Sequence, residues 1–162
     1  MKTFHEIIKQ KPIFLNIWTH KIDVIGDFED IYLTYEEYIA EEPPYGDKNY
    51  WLEKKALMDK AIEEYKDINI LFASYGCDDY EGGAWVLFEQ DGNLFEVIGG
   101  HCSCYGLEGQ WEPERVSLKE LEHRLLNGAF GEDKWTGNNF KKELCEFLGV
   151  EFTKNEEESE DF

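Results

Sequence analysis

Three short β-rich runs in the middle of the chain constrain its fold more than any other feature. They are INILFASY at residues 68–75, GGAWVLFEQ at 82–90 and NLFEVIGG at 93–100. The dipeptide Asp91-Gly92 lies between the last two runs and is typical of a tight hairpin turn. The pattern therefore predicts a small antiparallel β-meander over about residues 68–99.

Two segments before the meander have helical periodicity. Apolar residues in FHEII, at positions 4–8, have helical spacing, and Pro12 stops this helix. A clearer helix is predicted from about Asp47, its N-cap, to Tyr65, because apolar residues recur along one face of DKNYWLEKKALMDKAIEEY.

The sequence after the meander predicts two more helices. In SLKELEHRLL, Ser117 and Glu120 match a capping box, and in NNFKKELCEFLG the closing residue is Gly149. Helices on either side of a contiguous meander indicate an α+β fold, and we expect them to pack on one face of the sheet. The length of 162 residues suits one domain, so we predict a single globular domain over residues 1–153 and an acidic disordered tail over 154–162.

The segment between the first two helices is less regular. Alternating apolar residues predict a strand or extended structure that extends the meander; they are Ile13, Leu15, Ile17, Ile22 and Val24. From Asp27 to Glu42 the chain contains seven acidic residues and no basic residue. Here we predict a helix that ends at Pro43 and Pro44, with one apolar face formed by Ile31, Tyr35, Tyr38 and Ile39.

The charge of the chain is its strongest compositional signal. Asp and Glu number 36 against 16 Lys and Arg, for a net charge of −20. Such a surface disfavours direct binding of nucleic acid and of anionic lipid, because both are bound through Lys and Arg. It suits a basic protein partner, such as a nuclease or defence effector, or it keeps the protein in solution. The first ten residues lack a secretory pattern, so we expect the host cytoplasm, where cysteines stay reduced.

Cysteine and histidine are concentrated at two strand ends, SYGCDDYEGG at residues 74–83 and GGHCSCYG at 99–106, which we call the rim. The first and third strands of a meander run the same way, so these ends are expected to lie within roughly 10 Å of each other. We expect no cofactor at the rim. The alternative is a zinc ion held by the four thiolate and imidazole ligands Cys77, His101, Cys102 and Cys104.

The spacing within the rim weakens both chemical interpretations. Zinc knuckles commonly use Cys-x2-Cys, whereas this segment has Cys-x-Cys. If the segment stays extended, Cys102 and Cys104 face away from His101, which disfavours a local catalytic dyad. The thiols are otherwise small residues buried at a strand end. Tyr75 and Tyr80, with Tyr105, are expected to form an aromatic rim whose hydroxyls stay wet.

A motif follows the meander, His-Cys-Ser-Cys-Tyr-Gly at residues 101–106. Together, ILFASYGCDDYEGGAWVLFEQDGNLFEV and GGHCSCYGLEGQWEPE resemble small uncharacterised accessory proteins of tailed bacteriophages and prophages. The resemblance covers about residues 68–126 and includes the helix after the motif. It implies a phage origin and carries over no catalytic residue. Small, strongly acidic phage proteins include inhibitors of restriction and CRISPR systems, which is an analogy of charge balance only.

These observations predict a phage-encoded, non-enzymatic inhibitor of a host defence or nucleic-acid-processing complex, of the anti-CRISPR or anti-restriction type. Its carboxylates would pair with the Lys and Arg residues that otherwise hold phosphate. The predicted contacts are Asp27, Glu29, Asp30, Glu36, Glu37, Glu41 and Glu42, a second patch of Asp78, Asp79 and Glu81, and the three rim tyrosines. One alternative is an enzyme, or a protein that binds a small ligand or nucleotide, and that uses the rim from Cys77 to His101–Cys104. Another is a regulatory phage protein whose charge has no specific role.

Overall fold

The computed structural model describes residues 1–78 and 80–152, and these form one mixed sheet with helices. The predicted tail at 154–162 lies outside the described residues. The five strands follow chain order across the sheet: β1 (Ile13–Asn16), β2 (Asn69–Asp78), β3 (Glu81–Gln90), β4 (Asn93–His101) and β5 (Glu114–Arg115). β1 is parallel to β2, and every later neighbour is antiparallel.

The predicted meander is confirmed as β2, β3 and β4. Asp91 and Gly92 have φ of 52° and 81°, and positive φ at both central residues is what a type I′ hairpin requires. β1 adds to the sheet through a parallel pairing of Ile13 with Phe72 and of Asn16 with Tyr75. The expectation that the N-terminal segment extends the sheet is thus confirmed for residues 13–16.

The helices are α1 (Phe4–Lys9), α2 (Lys21–Phe28), α3 (Tyr35–Ile39), α4 (Lys48–Glu64), α5 (Leu118–Leu126) and α6 (Lys141–Leu148). Asp47 caps α4, Ser117 caps α5, and Gly149 ends α6 in the left-handed conformation, as predicted. Glu120 differs from the capping-box prediction, because its carboxylate pairs with Arg124 one turn along the helix. Among residues 1–78 and 80–152, no helix has both the length and the apolar character to cross a membrane.

Two predictions for the N-terminal third are wrong. Residues 22 and 24 belong to helix α2, which begins where the His20 imidazole accepts a hydrogen bond from the Ile22 backbone N–H, 3.1 Å away. The long acidic helix over 27–42 is interrupted, because α2 ends at Phe28 and Asp30 has a φ of 57° that no α-helix continues. Only the short helix α3 forms beyond that break.

Helices cover both faces of the sheet, which corrects the expectation of one covered face within the confirmed α+β fold. On one face, Leu71 and Leu87 pack against helices α1, α5 and α6. On the other face, Ala73 and Val86 pack against α2, and α4 packs behind α2 in a third cluster of buried side chains. The central strands are therefore buried on both sides, so their side chains are apolar at nearly every position.

One buried carboxylate on the α5 face is fully paired. Glu96 of β4 is 3% exposed, and the Arg124 guanidinium donates to both of its oxygens, at 2.8 and 2.9 Å. The Trp85 indole donates a third hydrogen bond to Glu96, at 3.0 Å. These partners compensate the cost of removing the carboxylate from water.

Candidate functional site

The ends of β2 and β4 meet across the first residues of β3, as the meander predicted. Cys77 pairs with Gly82 in the ladder, and Gly82 pairs with His101. Two interstrand spacings therefore separate the Cys77 and His101 backbones. Their side chains nevertheless touch, with the Cys77 Sγ 3.6 Å from the His101 Nε2.

The contact is made because the intervening residue has no side chain. A Cβ built on Gly82 would lie within 3.0 Å of the Nδ1 and Cε1 atoms of His101 and 3.0 Å from a ring carbon of Tyr75. The imidazole therefore lies directly over the Gly82 backbone and reaches β2. This close approach is a reason for glycine at residue 82 that the sequence analysis did not use.

The other imidazole nitrogen is held by a tyrosine. The Tyr75 hydroxyl lies 2.6 Å from the His101 Nδ1. Tyr75 is 8% exposed and packs against the Trp18 ring, with centroids 5.1 Å apart. Burial raises the pKa of Tyr75, and the negative charge of Asp27 acts in the same direction, so this phenol stays neutral.

A half-buried carboxylate lies behind this group. The Trp18 indole N–H donates to Asp27 at 2.7 Å. Burial raises the pKa of Asp27, while the hydrogen bond from Trp18 and the nearby His101 favour the charged form. The sequence analysis missed Trp18, because an apolar aromatic in a half-buried segment carries no signal of its hydrogen-bond partner.

The three rim tyrosines do not share one environment. Tyr80 and Tyr105 are 75% and 59% exposed, as expected of an aromatic rim. Tyr75 is buried, so the expectation of a wet hydroxyl at this position is wrong. Its side chain points to the α2 face of the sheet, where the hydroxyl is hydrogen-bonded to His101.

The His-Cys-Ser-Cys-Tyr-Gly motif is a turn, not an extended strand. β4 ends at His101, and the Cys102 N–H donates to the Tyr105 carbonyl at 3.2 Å. The Cys104 N–H points at the Cys102 sulfur, 3.4 Å away, and this contact lowers the pKa of the Cys102 thiol. Cys77 and Cys104 are exposed, and Cys102 is half-buried, so these thiols differ from the predicted buried ones.

The four ligands proposed for zinc are divided between two local arrangements. Cys77 contacts His101, whereas Cys102 is engaged with the backbone of its own turn. In the part of the chain that the structure describes, no group of three or more His, Cys, Asp or Glu side chains has the arrangement of a metal site. Zinc at the rim stays a prediction.

Gln110 ties the loop after the motif to the sheet. Its side-chain oxygen accepts from the Gly100 N–H, and its amide N–H donates to the carbonyls of Gly100 and Gly106, all at 2.7–2.8 Å. Gln110 is half-buried, whereas Glu108 and Glu112 on either side of it are exposed.

A loop covers the opposite face of the rim. A Cβ on Gly76 would lie within 3.0 Å of the Asn138 backbone, and a Cβ on Gly83 would lie 2.8 Å from the Thr136 hydroxyl. Asn138 also accepts a hydrogen bond at 2.6 Å from the buried Ser74 hydroxyl of β2. Glycines on alternate faces of β2 and β3 thus admit His101 on one side and residues 136–138 on the other.

The acidic residues predicted to contact a partner occupy different environments. Three have internal partners: Asp27 binds Trp18, Glu29 accepts from the Tyr65 hydroxyl at 2.6 Å, and Glu37 accepts from the Tyr45 hydroxyl at 2.6 Å. The others that the structure describes are exposed, namely Asp30, Glu36, Glu41, Glu42, Asp78 and Glu81. Asp79 lies outside the described residues.

A cavity of about 260 Å³ lies between α2 and the segment that follows it. Its ionisable lining consists of three carboxylates and two phenols, from Asp23, Asp27, Glu37, Tyr32 and Tyr45. Its apolar lining comes from Ile17, Trp18, Ile31 and Leu33. Of the three lining acids, Asp27 and Glu37 were predicted from the sequence and Asp23 was not. The cavity itself was not predicted, because the helix break at Asp30 has no strong local signal.

Comparisons of the chain with models of protein families, with curated proteins and with solved structures found no match.

Proposed function

We propose that this protein acts by binding a partner with a basic surface, and that the cavity between α2 and α3 receives a cationic side chain of that partner. The observation that carries the proposal is the lining of the cavity. It brings Asp23, Asp27 and Glu37 together with Tyr32 and Tyr45, and no Lys, Arg or His is among its described lining residues. A guanidinium or ammonium group complements that lining in charge and in hydrogen bonding.

The exposed tyrosines beside the cavity suit a cation. Tyr32 and Tyr45 are 75% and 76% exposed, although tyrosine side chains normally bury part of their apolar ring surface. The chain itself already supplies one cation to this surface. The Lys54 ammonium lies 5.1 Å from the Tyr32 ring centroid and 4.5 Å from that of Tyr50, within the range of cation–π attraction.

Exposed carboxylates near this surface support association with a basic partner. Asp30, Glu36, Glu41 and Glu42 are exposed in the same stretch of chain. With a net charge of −20, such a surface accelerates encounters with a basic protein and repels nucleic acid. The proposed partner is a host defence or nucleic-acid-processing protein, which follows the resemblance to phage accessory proteins.

Paired charge variants test the proposal. The biotinylated chain is used to capture partners from bacterial lysate, and captured proteins are quantified by mass spectrometry at about 0.05 M and about 0.5 M salt. Glu36→Gln with Glu41→Gln removes two exposed charges from the segment after α2, which contributes to the lining of the cavity. Glu143→Gln with Glu146→Gln removes two exposed charges from α6, on the opposite face of the sheet, as the matched control.

A defined probe locates the contact. Titration with a short arginine-rich peptide is expected to change Trp18 fluorescence. Tyr45→Ala should weaken the binding of this peptide at least about tenfold, which corresponds to the free energy of one desolvated cation–π contact. The proposal predicts that the Glu36/Glu41 variant loses the captured partner while the α6 variant keeps it. Equal capture by both variants, or peptide binding that salt and Tyr45→Ala leave unchanged, would contradict it.

A further inference from the structure

We propose that Cys77, His101 and Tyr75 form a nucleophilic thiol site, in which His101 is the base for the Cys77 thiol and Tyr75 positions the imidazole. The acceptor we infer is a neutral or cationic acyl compound. The site uses residues of the rim and does not depend on the proposed binding function. The sequence interpretation disfavoured a dyad between neighbouring residues, but this pair comes from two strands.

The three side chains have the order that an activated nucleophile requires. The Cys77 Sγ lies 3.6 Å from His101 Nε2, and the Tyr75 hydroxyl oxygen lies 2.6 Å from His101 Nδ1. In the tautomer in which Nδ1–H donates to Tyr75, the basic nitrogen is Nε2, which faces the thiol. Nucleophile, base and orienting group are thus in line, and a substrate can reach the thiol because Cys77 is exposed.

Carboxylates lie around this cluster. Among the described residues, Asp27 of α2 lies near both His101 and Tyr75, and Glu108 of the loop after β4 acts on Tyr75. When the thiol proton moves to Nε2, the neutral Tyr75 phenol accepts the hydrogen bond from Nδ1–H. The resulting ion pair of thiolate and imidazolium is the reactive form of such a dyad.

The reaction balances without a cofactor. His101 Nε2 takes the thiol proton, the Cys77 sulfur attacks the acyl carbon, and a C–S bond forms as the bond to the leaving oxygen, nitrogen or sulfur breaks. The proton on His101 passes to the leaving group. Water then attacks the thioester, gives its proton to His101, and releases the acid, after which the proton returns to sulfur.

The class of substrate follows from the charge and shape of the rim. Asp78, Glu81 and Glu108 are exposed there and repel anionic acyl donors. A shallow depression of about 380 Å³ has His101, Gly82, Gly100 and Gln110 in its lining. Cys77 does not line it but contacts His101, which does. These features favour a neutral or cationic ester, thioester or amide.

The first test compares thiols within one chain. The full chain is treated with limiting iodoacetamide between about pH 5 and 9, a range that spans the imidazole and thiol pKa values, and adducts are located by tandem mass spectrometry. Near neutral pH, Cys77 should react at least about tenfold faster than Cys104, which is also exposed. A Cys77 rate no greater than that of Cys104, or faster alkylation of Cys102, would overturn the proposal.

Two variants separate the base from the positioning residue. His101→Gln should slow Cys77 alkylation at least about tenfold and leave the Cys104 rate unchanged, because only Cys77 loses its base. Tyr75→Phe should shift the pH profile of Cys77 alkylation, which a purely structural role would not do. An unchanged Cys77 rate in folded His101→Gln overturns the proposal, and if that variant does not fold, the comparison within the wild-type chain decides.

The acyl step is tested with p-nitrophenyl acetate, a small neutral acyl donor. The wild-type chain should carry an acetyl group on Cys77 and release an equal amount of nitrophenolate, and Cys77→Ser should lose this fast phase. Fast alkylation of Cys77 without preferential acetylation would overturn the acyl assignment. Acetylation that persists in Cys77→Ser would overturn the site.

Discussion

The glycine beneath the rim imidazole gives the sharpest stability prediction. In Gly82→Ala, the new methyl group would occupy space now filled by the His101 ring, whose nearest atoms lie within 3.0 Å of the built Cβ. The ring must withdraw by about 1.4 Å to reach an ordinary separation of about 3.5 Å. Its hydrogen bond to Tyr75, now 2.6 Å, then exceeds hydrogen-bond range.

The expected cost follows from the burial of the tyrosine. Tyr75 is 8% exposed, so loss of its partner leaves a nearly buried hydroxyl without a hydrogen bond, at a cost of about 1–3 kcal/mol. The substitution also reduces the entropy of the unfolded chain, which returns about 0.4–1 kcal/mol. We therefore expect Gly82→Ala to lower the free energy of unfolding by about 1–2 kcal/mol.

A neighbouring glycine supplies the control. A Cβ on Gly100 meets nothing closer than the Gly82 carbonyl oxygen at 3.6 Å, an ordinary contact. Gly100→Ala should stay within about 0.5 kcal/mol of the wild type in urea unfolding followed by tryptophan fluorescence. In Gly82→Ala, the NMR signals of the His101 ring should also shift. Equal stability of the two variants, with unchanged His101 signals, would refute the reasoning.

Three further predictions concern other parts of the fold. Burial raises the pKa of folded Asp27 above its unfolded value, so ionising it costs stability as pH rises from about 4. Asp27→Asn, which can still accept the hydrogen bond from Trp18, should therefore be more stable than the wild type at pH 7 and lose that advantage in acid. A difference in urea midpoint between variant and wild type that does not change with pH would contradict this. Arg124→Ala leaves the buried Glu96 carboxylate without its main partner and should lower the free energy of unfolding by about 2–4 kcal/mol, measured by urea unfolding. A decrease of less than about 1 kcal/mol would contradict this and show that water replaces the guanidinium. Gly149→Ala forces a side chain into a φ of 76° at the end of α6 and should cost about 1–2 kcal/mol, measured by thermal unfolding; an unchanged midpoint would mean that the helix end rearranges.

The meander was predictable because its signals are local. Asp91-Gly92 specifies its hairpin turn through the φ values of two adjacent residues. Strand direction then brought Cys77 and His101 to one edge without any knowledge of tertiary packing. The contact between their side chains depends on Gly82, and the ladder register that places this glycine between them appears only in the structure.

The N-terminal third depended on long-range contacts. Ile22 and Val24 fit an alternating pattern, and helix α2 begins at a histidine cap, a residue that is not among the usual N-caps. The parallel pairing of Ile13 with Phe72 joins residues that are far apart in sequence. The burial of both faces of the sheet could have been predicted from the sequence, because continuous apolar runs such as AWVLF are typical of strands buried on both sides.

The hydrogen bonds of Gln110 also have a consequence for self-association. β5 pairs with β4 only at Phe95 and Glu96, so the remaining outer edge of β4 is a template for another strand. Gln110 occupies both backbone groups of Gly100 in the way that an adjacent strand would. One amide side chain therefore blocks strand addition beside the exposed Ile98, and protects this edge of the sheet against aggregation.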